Sequence, residues 1–357
     1  MNLNIPSLKI GDLKAKLPII QGGMGIGVSG AKLASAVANA GGIGIISGVQ
    51  IGYKAKDFSL DPLKNNLKAL KEEITSARKL SPEGIIGVNF MVAMRHYDEV
   101  VKAAVKEKID LIISGAGLPI QLPELVKGSK TKIAPIVSSG KAARIIIKRW
   151  LKQDRLPDAV VVEGPLAGGH LGFKADELEN KSNQSLEEIV QDVLKVIKPL
   201  EQEYNVEIPV IAAGGIMDGN DIGKILSLGA KGVQMGTRFV ATDECDADQS
   251  FKEAYVNSKK EDVRLIKSPV GLPGRAIYNN FIEETDQGNI PVKKCFRCIG
   301  HCDPKTTPYC ISQALIDAVE GKNGLVFSGA RVHEVKEILK VDQLMASLEQ
   351  EILAYHH

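Results

Sequence analysis

The stretch VVVEGPLAGGHLGF, residues 160–173, ends a run of buried-type valines in a carboxylate, two glycines and a single imidazole. A strand that merely turned into a loop needs the glycines but neither Glu163 nor His170. Histidine exchanges a proton near neutral pH, so His170 is a candidate base or anion-positioning group. The plainer alternative is an imidazole that caps a loop. A second constellation is CFRCIGHCDPKTTPYC, where Cys295, Cys298, Cys302 and Cys310 fall within sixteen residues with the spacing C-x2-C-x3-C-x7-C. Four thiolates in one short loop can wrap a [4Fe–4S] cluster. Tetrahedral zinc is the rival, with His301 able to replace one ligand, and unrelated thiols are the third reading. Gly300, Pro304 and Pro308 suit chain reversal around an ion, and Lys293, Lys294, Arg297 and Lys305 would offset the thiolate charge. Cys245 stands apart, as a helix-start or core thiol.

These groups need elements to hold them. Short apolar runs at Pro18–Gln21, Gly44–Ser47, Ile85–Asn89, Leu111–Ser114, Ile133–Val137, Ala159–Glu163, Val210–Ala213 and Gly232–Met235 read as eight strands. Amphipathic segments lie between and after them, at Ala31–Ala40, Pro62–Leu80, Tyr97–Glu107, Pro123–Lys127, Lys141–Leu151, Ser185–Glu203, Gly219–Leu228 and Ala247–Asn257. Short strands alternating with helices imply βαβ units and a parallel sheet. Eight units in about 250 residues suit a closed α/β (β/α)8 TIM barrel. An open doubly wound sheet is the competing architecture. GGMGIG near the N-terminus resembles a dinucleotide pattern, but no strand–helix unit with a properly spaced acid follows it, so a Rossmann reading is rejected.

The rhythm predicts a barrel over residues 1–257 and a C-terminal extension over 258–357, with the cysteine loop at 295–310 and a terminal amphipathic helix, VDQLMASLEQEILAYHH. The segment SPVGLPGRAIYNNFIEE is rich in Pro and Gly and reads as a lid or docking surface. In such barrels the chemistry sits at the carboxyl ends of the strands. Nearly every strand end here carries glycine: QGGMGIG, SGVQ, SGAGLP, SSGK, EGPLAGGHLG, AAGGIMDG and QMGTRF. Bare backbone lets a ligand approach closely, and amide N–H groups cradle an anion. AAGGI and QMGTRF follow the seventh and eighth predicted strands, the usual place for a phosphate.

Composition narrows the class. A formal charge of +2 gives no global field for nucleic acid or an acidic membrane. Apolar residues make up 44% and aromatics 4%, so the core must be mostly aliphatic, as parallel sheets prefer. MNLNIPSLKI has no secretory pattern, no apolar run reaches a membrane span, and the bunched cysteines do not read as a disulfide framework. A cytoplasmic protein is expected. His356 and His357 are open between native residues and the remnant of a tag.

PIIQGGMGIG, GVNF, EGPLAGGHLG, IPVIAAGGI and GVQMGTRF together resemble the nitronate monooxygenase family, formerly the 2-nitropropane dioxygenases, over roughly residues 15–245. The same superfamily includes flavin-dependent enoyl-acyl-carrier-protein reductases. The resemblance implies FMN at the barrel mouth. Gly23 and Met24 would lie near the flavin, Asn89 would hydrogen-bond its ring, and Glu163, Gly168 and Gly169 would line the site. Gly214, Gly215, Gln234, Met235, Gly236 and Thr237 would hold the ribityl phosphate. His170 would be the catalytic residue, as base or as an anchor for an anionic substrate; a matching histidine also occurs in the reductases. Glu163 departs from the glutamine that family members often carry, and the cysteine segment departs from the simplest members. The resemblance thus implies an FMN-dependent oxidoreductase acting on alkyl nitronates. The alternatives are an NAD(P)H-dependent enoyl thioester reductase and a flavin/iron–sulfur electron-transfer or redox-sensing protein. A small-molecule substrate is expected in the enzymatic readings, and a homodimer is compatible with all of them.

Overall fold

The computed structural model describes residues 5–355, so His356 and His357 lie outside the described residues. Eight strands close a barrel: β3 (Ile19–Gln21), β4 (Ile43–Ser47), β5 (Ile85–Met91), β6 (Leu111–Gly115), β7 (Lys132–Val137), β8 (Val160–Glu163), β10 (Val210–Ala213) and β11 (Gly232–Met235). Every pairing around the ring is parallel, and β11 returns to β3. An antiparallel hairpin, β1 (Leu8–Ile10) and β2 (Leu13–Ala15), precedes it. The strands match the periodicity to within two residues at each end because continuous Val/Ile/Leu runs are what a sheet buried on both faces requires.

Side chains alternate across each strand. Ile20, Ile45, Leu111, Ile113, Val161 and Ile211 fill the barrel interior, together with Leu8, Ile10 and Ala15 of the hairpin. Ile86, Val88, Ile112, Val160, Val162, Val210, Ala212 and Val233 face outward into a separate cluster under the helices. Those helices include α1 (Ala31–Asn39), α2 (Pro62–Leu80), α3 (Tyr97–Lys106), α4 (Leu122–Leu125), α5 (Gly140–Leu151), α7 (Leu186–Tyr204) and α8 (Gly219–Ser227), while the short α6 (Ala175–Glu179) follows the loop after β8. Their starts follow local chemistry. Asp61 caps α2 with Pro62 at its first position, Ser185 and Glu188 form a capping box on α7, and Asp218 caps α8. Among the described residues no helix is long and apolar enough to cross a membrane.

The eighth unit differs from the expectation. After β11 come α9 (Thr237–Val240) and α10 (Gln249–Val256), the latter within the segment expected to form the eighth wall helix. Instead, α10 packs Phe251 and Tyr255 against Val28, Val240, Val326 and Val332. The wall is completed by α13 (Val341–Tyr355), which packs against α1 and α8 and buries Val341, Leu344, Met345, Leu348 and Ile352 in the outer cluster. Glu351 of α13 accepts the Gly219 N–H at the start of α8, at 2.7 Å. Residues 237–340 therefore lie between the eighth strand and the helix that closes its unit. Both helices are amphipathic, and periodicity alone does not say which of them reaches the gap. The intervening chain carries β12 (Val263–Lys267), β13 (Pro273–Ile277), α11 (Asn280–Gln287) and α12 (Ile311–Val319). β12 and β13 form a sheet with β9 (Gly169–His170), a short strand from the loop after β8.

Candidate active site

The alternation that buries Val161 and Ile211 inside the barrel carries on to the next inward positions. Parallel register sets Glu163, Ala213 and Gln234 in one row across β8, β10 and β11, and sets Asn89 beside Ser47 across β5 and β4. Above this row opens a cavity of about 440 Å³. Every residue assigned to the site from sequence lines it: Gly23, Met24, Asn89, Glu163, Gly168, Gly169, His170, Gly214, Gly215, Gln234, Met235, Gly236 and Thr237. Asn89 also donates its amide to the carbonyl of Ile113 at 3.2 Å.

The cavity wall has the texture of a ligand cradle. Gly214 has φ +101, and a methyl there would stand 2.9 Å from the Ala167 backbone nitrogen. A Cβ on Gly168 would meet the Ser328 carbonyl carbon at 2.5 Å, so the loop after β8 runs flush against residues 328–329. Of five side-chain atoms buried without a hydrogen-bond partner among the described residues, three, Ser47 Oγ, Gln234 Oε1 and Ser328 Oγ, belong to residues that line the cavity. Native interiors rarely leave such groups unpaired. Together with the bare glycine turns they fit a polar, hydroxyl- and phosphate-bearing ligand such as FMN. Arg331 braces the cradle from behind. It donates to the Gly215 carbonyl at 2.7 Å and to Asp221 at 2.6 Å, and its other nitrogens grip Glu334 bidentately, each at 2.7 Å.

His170 is placed by the small sheet, where its Cα pairs with Gly274 of β13. Its Nε2 lies 2.7 Å from Ser268 Oγ, and Phe327 meets the ring edge-on with centroids 5.0 Å apart. Burial pushes the imidazole down to about 4, so it is neutral at physiological pH. Glu163 retains some accessible surface, and as a cavity-lining residue it presents that surface to the cleft. Burial pushes its carboxyl up to about 7, opposed by the Gly172 N–H, which donates at 3.0 Å, and by the nearby Arg275 charge. Arg275, on β13, is itself buried and donates to the Ala167 carbonyl.

The raised Glu163 value has a stability consequence. The unfolded carboxyl ionises near its ordinary 4.5, whereas the folded one holds its proton to about 7. The folded state therefore binds more protons across that window, and stability is expected to fall as pH rises from about 4.5 to about 7, then level off. Glu163→Gln removes the titration. Urea unfolding of the ligand-free protein should show the variant gaining on the native chain at about pH 8 relative to about pH 5; equal differences at both would refute the assignment.

The four cysteines expected as a ligand set lie in the segment that leads into α12. Among the described residues no three of His, Cys, Asp and Glu converge to hold an ion. All four thiols are free, with Cys295 exposed and Cys298, Cys302 and Cys310 partly buried. Cys298 and Cys302 pack beside the cluster built on Phe281, Tyr309 and Leu325, whereas Cys310 sits beside Phe58 and Phe296. Burial pushes the Cys310 thiol up to about 11. The thiols lie within electrostatic reach of one another, Cys298 with Cys302 and Cys295, and Cys310 with Cys298 and Cys295. The loop is stitched to the barrel mouth. Arg95 N–H donates to the Cys298 carbonyl at 3.1 Å, and Phe296 stacks on Phe58 at 5.5 Å. Cys245 is the core thiol expected, buried against the Val28 carbonyl.

Sequence reasoning missed Ser268, Arg275, Phe327, Ser328 and Arg331. All five come from the chain inserted before the last helix, roughly 100 residues or more from His170, and no local motif links them. Their one signal was the Pro/Gly-rich SPVGLPGR, which contains Ser268 and Arg275.

Comparison with known proteins places this geometry among relatives. The family model described as nitronate monooxygenase matches residues 7–351. A probable nitronate monooxygenase of Staphylococcus saprophyticus is 32% identical over 301 residues, covering 78% of this chain and 80% of the relative. Among solved structures, FabK from Thermotoga maritima is similar with a TM-score of 0.73 and 28% identity, over 95% of this chain and 93% of that one. Nitroalkane oxidase from Streptomyces ansochromogenes shares the fold, with a TM-score of 0.73 at 23% identity over 96% of this chain and 97% of that one.

Proposed function

The chain belongs to the nitronate monooxygenase family, and from that premise we propose that this oxidoreductase binds FMN in the barrel-mouth cavity and oxidises alkyl nitronates. The observation that carries the reading is a neutral imidazole set in the same cleft as glycine turns and three orphaned buried polar atoms. FMN, when bound, supplies the electron-accepting centre. Gly214, Gly215, Gly236 and Thr237 hold its phosphate through bare backbone, with Arg331 fixing the Gly215 turn. Ser47, Gln234 and Ser328 satisfy their unpaired oxygens on its polar groups, and Met24 and Asn89 line its ring. His170 faces the substrate, and a neutral ring there binds an anionic oxygen by donating a hydrogen bond.

A second reading, an NAD(P)H-dependent enoyl thioester reductase, is favoured by one feature. Leu118 and Leu166, 43% and 45% exposed, line the same cavity and offer an apolar chain a resting place. One experiment separates the two. Purified protein is mixed without oxygen with NADH in one arm and with a nitronate in the other, and the flavin absorbance band is followed. Bleaching by the nitronate and recovery on admitting air supports the first reading. Bleaching by NADH alone, followed by reoxidation with an enoyl thioester, replaces it with the second. A protein that is colourless and refuses added FMN refutes both. The same spectrum, with metal analysis, reads whether Cys295, Cys298, Cys302 and Cys310 take up an ion.

A further inference from the structure

Ser268 follows β12 directly and stands in the turn that leads to β13. Its carbonyl accepts the Gly271 N–H at 3.0 Å, which closes the turn, and its Oγ accepts the Val270 N–H at 3.3 Å. A serine hydroxyl has one hydrogen and two lone pairs. One lone pair is engaged by Val270, and Ser268 is only 9% exposed, so bulk water offers its hydrogen little alternative. The acceptor within reach is His170 Nε2, at 2.7 Å. The ring is held in that orientation from two sides. β9 pairs with β13, fixing the His170 backbone, and Phe327 blocks the ring edge-on. Phe327 is pinned in turn, because Tyr255 donates to its carbonyl.

We infer that Ser268 is a positioning residue that donates its hydroxyl hydrogen to Nε2 and so holds His170 as the Nδ1–H tautomer. The imidazole then enters the cavity as a hydrogen-bond donor, not as a proton acceptor. Its acceptor nitrogen is occupied by the serine and its other nitrogen already carries a proton. Burial also disfavours a second proton on the ring. The ligand this favours at His170 is an oxygen that is already electron-rich, whether a nitronate oxygen or a thioester carbonyl. The tautomer assignment rests on the cavity being the substrate site only for its functional consequence. The device spans two distant stretches of chain, and a histidine that merely capped a loop would not need it.

The test is nitrogen-15 NMR of the full-length protein labelled at histidine, with the His170 signals assigned by their loss in His170→Asn. The expected result is a protonated Nδ1 and an unprotonated Nε2 at neutral pH. Ser268→Ala should return the ring toward the Nε2–H form that free imidazole side chains favour, while Ser268→Thr, which keeps the hydroxyl, should restore the native tautomer. A protonated Nε2 in the native protein, or an unchanged tautomer in a folded Ser268→Ala, overturns the inference. In turnover, Ser268→Ala should lose about tenfold or more in kcat, as outer residues that orient a functional imidazole commonly do, with Ser268→Thr recovering most of it. The NMR result needs no substrate. A native Nδ1–H tautomer without nitronate oxidation would refute the proposed reaction and leave the tautomer standing, and a native Nε2–H tautomer with oxidation intact would do the reverse.

Discussion

His170→Ala is expected to retain FMN and to lose about a hundredfold or more in turnover, the usual scale for removing a proton-transferring or charge-stabilising group from a closed site. The reasoning is spatial. His170 lies on a two-residue strand held by β13, while Gly214, Gly215, Gly236 and Thr237, proposed above to cradle the phosphate, line the cavity from other strand ends. Truncating the imidazole removes no cradle atom. It does remove the partner of Ser268 and the edge contact to Phe327. His170→Gln tests the donor role directly, because an amide can still donate and should recover part of the loss. Steady-state kinetics with flavin content measured on the same samples would check both. Turnover unchanged in the alanine variant would end the catalytic assignment, and a parallel loss of flavin would move His170 into the cofactor shell.

Gly214→Ala should do the opposite, abolishing flavin retention while the barrel stays folded. The backbone at Gly214 has φ +101, which an L side chain adopts only with strain. The added methyl would also lie 2.9 Å from the Ala167 nitrogen and 3.1 Å from the Gly164 carbonyl oxygen, both backbone atoms with little room to yield. The turn must shift, and its amides would leave their positions around the phosphate. A cost of about 3 kcal/mol in the bound geometry corresponds to roughly a hundredfold weaker FMN binding. Gly128→Ala is the control. Gly128 has φ +76 with nothing within 4 Å of the added methyl, so that variant carries strain alone, far from the cavity-lining set. FMN fluorescence titration with circular dichroism would separate the two. Equal FMN affinity in Gly214→Ala and the native protein would show that the phosphate sits elsewhere.

What could be read in the residues follows the range of the interactions. The eight strands were legible because a strand buried on both faces demands an unbroken aliphatic run, and that demand is local. The helix starts were legible for the same reason, as Asp61–Pro62 and Ser185–Glu188 act within one turn. The gathering of the glycine ends, Asn89, Glu163 and Gln234 followed once the ring was closed, since a closed parallel barrel sends every strand's carboxyl end to one rim.

The rest was decided in three dimensions. Which amphipathic helix completes the wall depends on the length and path of the intervening chain, and α13, not α10, fills the gap between α1 and α8. The protonation states of Glu163 and His170 depend on burial and, for Glu163, on Gly172 and on Arg275, which lies far along the chain. By itself the sequence determined the barrel, its rim and the chemistry available there, because backbone propensity and alternation act between neighbours. The tertiary structure alone decided how that chemistry is tuned, because desolvation and hydrogen-bond partners are set by atoms close in space and distant along the chain.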